Sequence, residues 1–162
     1  SGMGATAVGM PVPAVPEALS KGVIDATVIP WEVTGALKVP ELVSNHLEFG
    51  DASLYTTTFL FAMNKDKYNA MPDDLKAILD AHSGAAFSAF AGKQMQIDDG
   101  PGREQALDLG NEVTTLTPEQ VEVWRAAAAP TVAKWIEEVK AQGLDGAALI
   151  EEASALIEKY SK

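Results

Sequence analysis

The chain contains no cysteine among its 162 residues. Disulfides, thiol catalysis, thiolate-ligated zinc and iron–sulfur clusters are thereby excluded. Positive charge is scarce, with 12 Lys and Arg against 23 Asp and Glu and a net charge of −11. Such a balance argues against nucleic acid, whose phosphates need stripes of Lys and Arg, and against an anionic membrane surface. An acidic exterior leaves room for an anionic ligand, because a buried pocket can be locally positive. No apolar run approaches the roughly 20 residues that span a bilayer. The start, Ser1-Gly2-Met3-Gly4, has neither the basic residues nor the apolar stretch of an export signal. A strand-like segment follows at once, and the chain is read as beginning inside a longer protein.

Catalytic and metal-binding patterns are equally sparse. The two histidines, His46 and His82, lie far apart with no HxxxH or HExxH spacing, and both read as structural or surface residues. No GxGxxG, phosphate-binding loop or GxSxG is present. Asp73-Asp74, Asp98-Asp99, Glu137-Glu138 and Glu151-Glu152 are neighbours in helical stretches. Adjacent helical residues point about 100° apart, so these pairs read as solvated faces. Neither an enzyme nor a cofactor site finds support.

What is present is a helix-rich α/β pattern, with 47% apolar residues to form a core. Three apolar, β-branched segments read as strands: Thr6–Met10, Thr27–Trp31 and Thr56–Asn64. Val15 to Lys21 reads as a short helix closed by Gly22. Val33 to Phe49 reads as a connection. A long helix begins near Pro72, with Asp73 and Asp74 favoured by its dipole. Leu75, Ile78, Leu79 and His82 share one face, and Gly100-Pro101-Gly102 is expected to kink or break this helix. Gly110-Asn111 closes it, and 112–116 reads as an extended link. Thr117-Pro118-Glu119-Gln120 forms a helix start with a capping box. Pro130 is expected to bend or divide the helix that follows, and a last helix runs from Gly146 to Tyr160.

Trp31 stands between Pro30 and Glu32 at the expected end of a strand. Ligands in open α/β sheets bind outside the carboxyl ends of strands. On pattern alone, Trp31 reads either as a cleft residue or as core of an ordinary βαβ unit.

The stretch GATAVGMPVPAVPEALSKGVIDATVIPWEV resembles the second-lobe segment of solute-binding proteins of TRAP (tripartite ATP-independent periplasmic) transporters. The resemblance continues through FLFAMNKDKYNAMPDDLKAIL and GNEVTTLTPEQVEVWRAAAAPTVAKWIEEV. It implies the C-terminal half of a two-lobe, type II-like periplasmic binding protein. Residues 1–50 would supply strand, helix, strand and hinge connection. Residues 51–110 would supply a lobe-crossing strand and the long kinked helix, and 111–162 the helices packing across the lobes. The partners implied are a small organic acid and the membrane permease subunits. The family's clamping arginine lies upstream of the first segment, and Arg103 and Arg125 do not match it. Met10, Val12, Ile29, Trp31, Asp51, Ser53 and Tyr55 fall where the family places ligand contacts. A turn role for Asp51 and Ser53 stands beside that reading. Ile29 replaces a polar Asn common in the family, which implies a small monocarboxylate with an apolar or aromatic body. Unpartnered strand edges and an apolar helix face predict a homo-oligomer, exchanged dimers included. The alternatives are a helical oligomeric interaction domain without a ligand and a small α/β enzyme.

Overall fold

The computed structural model describes residues 4–160. They fall into two compact units. One is Gly9–Thr115; the other runs from Leu116 onward and takes in the segment up to Val8.

In the Gly9–Thr115 unit, a 3-10 turn at Val12–Ala14 leads into helix α1, Val15–Ser20. This helix ends as its composition predicts. Gly22 adopts φ 66°, the Gly22 N–H donates to Leu19 O and the Val23 N–H to Ala18 O. That pair of bonds is the Schellman closure, which needs a left-handed residue at this position. Helix α2, Trp31–Thr34, is only four residues long. A second 3-10 turn, Val39–Glu41, then precedes strand β1, Asn45–Glu48. Helices α3 (Lys65–Asn69), α4 (Asp73–Ala81) and α5 (Ala85–Asp108) follow, and strand β2, Glu112–Thr115, completes the unit. β1 and β2 pair in parallel, with His46 opposite Val113 and Glu48 opposite Thr115. The long helical crossover between them is what a parallel pair requires.

Several sequence expectations are corrected. Thr6–Met10, Thr27–Trp31 and Thr56–Asn64 enter no ladder among the described residues. A strand exists only where another strand satisfies its backbone N–H and C=O groups, and these segments have no such neighbour. Phe59, Leu60, Phe61 and Met63 are accordingly exposed, Leu60 and Phe61 by 86% and 87%. The two strands that do form lie where the sequence suggested a connection and a link. Trp31 begins a helix and does not end a strand. The helical break comes at Gly84, with φ 77°, whereas α5 runs unbroken through Pro101. Gly100 precedes that proline, which removes the Cβ clash that disfavours helix before Pro.

The core of this unit gathers Val15, Ala18, Thr34, Val39, Pro40 and Ala106. At its centre α2 crosses α5 at Gly102. A Cβ on Gly102 would lie 2.2 Å from the Trp31 carbonyl oxygen and 2.7 Å from Thr34 Oγ1. Only glycine permits this approach.

The second unit holds helices α6, Pro118–Lys140, and α7, Gly146–Tyr160. Thr117 caps α6 with the expected box: its hydroxyl accepts the Gln120 N–H at 3.3 Å, and Gln120 Oε1 accepts the Thr117 N–H at 2.9 Å. Pro130 lies within the continuous helix and does not divide it. α7 starts against α6, where a Cβ on Gly146 would meet Val139 at 2.6 Å.

Candidate functional site

The carboxyl ends of the two parallel strands place Glu48 and Thr115 side by side. His46 and Glu48, two apart on β1, share one face and are the half-buried residues of that strand. α2 brings Trp31 onto this face. The Trp31 and His46 rings lie 4.9 Å apart between centroids. The Trp31 indole N–H donates to Glu48 Oε1 at 3.1 Å. From α5, Arg103 grips both oxygens of Glu48, Nε to Oε1 at 2.7 Å and Nη2 to Oε2 at 3.2 Å. The Thr115 hydroxyl completes the set at 3.0 Å from Oε2.

The backbone around Trp31 is fastened as firmly. Pro30 precedes α2 and gives it no side-chain cap. Asp99 of α5 serves instead, accepting the Glu32 N–H at 2.9 Å. A free N–H at a helix start needs such a partner, so Asp99 belongs to the packing and not to a solvated face. Thr34 Oγ1 donates to the Trp31 carbonyl at 2.7 Å. On the far side of the ring pair, Asn111 Nδ2 donates to Pro40 O at 2.8 Å and lies 3.1 Å from His46 Nε2. Because the amide nitrogen donates to both, His46 Nε2 is the acceptor and its proton sits on Nδ1.

Charge follows this geometry. The Arg103 hydrogen bonds hold the Glu48 carboxyl below its usual range, helped by Thr115 and opposed by burial. Burial pushes His46 down, against the pull of Glu48. Glu32 is raised, mainly by burial and then by Asp99. A proton on His46 Nε2 would face the Asn111 donor. Folded-state values below the unfolded ones mean that the unfolded chain binds more protons, so stability is lost on acidification. His46 contributes its loss as pH falls below 6.5, and Glu48 below 4.5. Glu32 acts in the opposite sense just above 4.5. Urea unfolding is therefore expected to show a falling midpoint between about pH 7 and pH 5, and His46→Gln is expected to flatten that step. An unchanged slope in the variant would assign the step elsewhere.

The residues singled out from sequence are distributed unevenly. Trp31 is the centre of the cluster, whereas Tyr55 is exposed and donates to Val28 O at 3.3 Å. Ile29 and Met10 are half-buried, while Val12 is exposed in the first 3-10 turn. Asp51 is exposed in a turn closed by the Ala52 N–H on Phe49 O, and Ser53 is exposed just after it. Glu48, Arg103, Thr115 and Asn111 carry no sequence signal of a site, since each becomes meaningful only through the strand pairing and the α2–α5 crossing. A separate open cavity of about 430 Å³ is lined by Ala81, His82, Ala86, Phe87 and Phe90, nearly all apolar. Among the described residues no group of three or more His, Asp or Glu is placed to hold a metal ion. No described helix is long and apolar enough to cross a membrane.

A family model described as bacterial extracellular solute-binding protein, family 7, matches residues 1–138. The chain is similar to a TRAP solute-binding protein of Rhodoferax ferrireducens crystallised with copurified benzoate, at 42% identity and a TM-score of 0.89 over 95% of this chain and 48% of that one. It is similar to a marine metagenome TRAP solute-binding protein specific for aromatic acids, in complex with metahydroxyphenylacetate. Identity there is 43% and the TM-score 0.92, over 99% of this chain and 51% of the other. A periplasmic TRAP protein of Desulfovibrio salexigens matches at 28% identity and a TM-score of 0.73, over 98% and 49%. The chain thus spans about half the length of these proteins. They are solute-binding proteins of transport and not enzymes, and the likeness agrees with the helix-rich α/β half-protein that the family resemblance implied. By this match and these likenesses, the chain belongs to the bacterial extracellular solute-binding proteins of family 7, the solute-binding proteins of TRAP transporters.

Proposed function

We propose that the protein is the periplasmic receptor of a TRAP transporter, that it captures a small aromatic monocarboxylate, and that it hands this acid to membrane permease subunits. One observation carries the reading: two neighbours, at 42% and 43% identity, hold benzoate and metahydroxyphenylacetate, each one ring and one carboxylate. The residues of this chain suit the ring. Met10, Val12, Ile29 and Trp31 form the apolar wall of the reading, with Asp51, Ser53 and Tyr55 at its rim. The carboxylate needs a bidentate guanidinium. Arg103 is engaged by Glu48, and Arg125 by Glu122 at 2.9 Å. The clamp is therefore assigned to the part of the relatives' length that this chain does not span. The same part would offer partners to the unpaired stretches 6–10, 27–30 and 56–64, within the division 1–50, 51–110 and 111–162. Until it does, the exposed run around Phe61 favours self-association of the chain.

Calorimetric titration of the full-length protein tests this reading. Benzoate and hydroxyphenylacetate are expected to bind with a negative heat-capacity change, the mark of apolar burial. Tight binding confined to polyhydroxy acids such as sialic acid would overturn it.

A further inference from the structure

Glu48 accepts four hydrogen bonds, one from Trp31, two from Arg103 and one from Thr115. An ionised carboxylate offers about four lone-pair sites. Glu48 is therefore saturated and has nothing left with which to hold a ligand. Arg103 is different. A guanidinium has five N–H groups, and the pair with Glu48 uses two of them. Arg103 remains 41% exposed against 19% for Glu48. Trp31 and Arg103 donate to the same oxygen, Oε1. The guanidinium thus lies at the edge of the indole, with its charge cancelled.

We infer that Glu48 is a specificity-determining residue: by pairing with Arg103 beside Trp31 it confines the ligand to one carboxylate and rejects aromatic diacids. The inference rests on the reading that Trp31 faces the ligand ring. Its physical basis is a difference between two states of one guanidinium. Paired, it offers no net charge, so nothing compensates the loss of water by a second ligand carboxylate. Unpaired, it would take that carboxylate in the bidentate geometry Glu48 now enjoys. Leaving the wrong ligand's extra charge desolvated and without a partner is one way a site discriminates when attraction alone cannot. Glu48 acts through Arg103 and Trp31 and touches no ligand, so it is a positioning residue.

The test compares affinities of the full-length protein for benzoate, isophthalate and terephthalate at fixed ionic strength. The unmodified protein is expected to prefer benzoate. In Glu48→Gln the better of the two diacids is expected to gain about tenfold or more relative to benzoate. In Glu48→Gln/Arg103→Gln this gain should vanish, because no guanidinium is left to supply it. A purely structural role for Glu48 would weaken all three acids alike and leave the ratio unmoved. That result, or a gain that survives in the double variant, overturns the inference. If Glu48→Gln does not fold, Arg103→Gln decides: discrimination against the diacids should sharpen, and a relaxed discrimination overturns the inference. Two controls separate it from the reading beneath it. Absence of benzoate binding by the unmodified protein sinks both. Benzoate binding with an indole signal that Trp31→Phe leaves unchanged keeps the aromatic-acid reading and overturns the role of Glu48.

Discussion

Replacing Gly102 by Ala is expected to be the most disruptive single-methyl change in the Gly9–Thr115 unit. The added Cβ would fall 2.2 Å from the Trp31 carbonyl oxygen, 2.7 Å from Thr34 Oγ1 and 3.1 Å from the Trp31 carbonyl carbon. Two of those atoms are backbone, so no rotamer relieves the clash, and α2 must lift away from α5. Overpacking of this kind costs about 3 kcal/mol, which lowers Tm by roughly 10 °C in a chain of this length. Lifting α2 also threatens the Asp99 cap on Glu32 and the indole bond to Glu48. Gly92 provides the control. It lies in the same helix, and its added Cβ meets nothing within 4 Å. Gly92→Ala is expected to stabilise by up to about 1 kcal/mol through helix propensity alone. Thermal unfolding of both variants checks the pair. Equal shifts would mean that the α2–α5 approach is not what Gly102 serves.

Truncating Trp31 to Ala is expected to weaken benzoate binding roughly 100-fold, about 2.7 kcal/mol, while leaving the fold in place. The indole is half-buried against His46 and Glu48, so on the proposed reading its removal takes away a wall and not a core plug. Trp31→Phe separates the two functions of the side chain. It keeps a ring for the proposed ligand contact but loses the N–H that donates to Glu48, and a loss of about 3-fold to 10-fold is expected. Calorimetry on full-length variants, with circular dichroism as the folding control, measures both. Equal affinities in Trp31→Ala and the unmodified protein would remove Trp31 from the ligand cleft.

Legibility from sequence was uneven for reasons that particular residues make plain. The Thr117 capping box and the Schellman turn at Gly22 were readable because their hydrogen bonds close within six residues. Strand β1 was not. In Asn45-His46-Leu47-Glu48 the one aliphatic side chain, Leu47, faces outward, while His46 and Glu48 turn inward. Hydrophobic alternation points the opposite way, since it assumes that buried means apolar. Here the buried face is polar because every group on it has a partner: Asn111 for His46, and Arg103, Thr115 and Trp31 for Glu48. Pro101 likewise carries a local penalty for helix, and the 24-residue α5 around it absorbs that penalty.

The sequence by itself determined the helix-rich α/β class, most helix termini, the absence of thiol chemistry and, through three resembling segments, the family. The class, the termini and the lack of thiols depend on composition and on contacts between near neighbours in the chain; the family depends on the resemblance of those segments. Tertiary structure alone decided which segments pair as strands, why position 102 must be glycine, and that Glu48 and Arg103, 55 residues apart, meet beside Trp31. Such a meeting is set by the parallel register of β1 and β2 and by the crossing of α2 over α5. Neither leaves a trace at short sequence range, because each is a balance of burial and hydrogen bonding struck between distant parts of the chain.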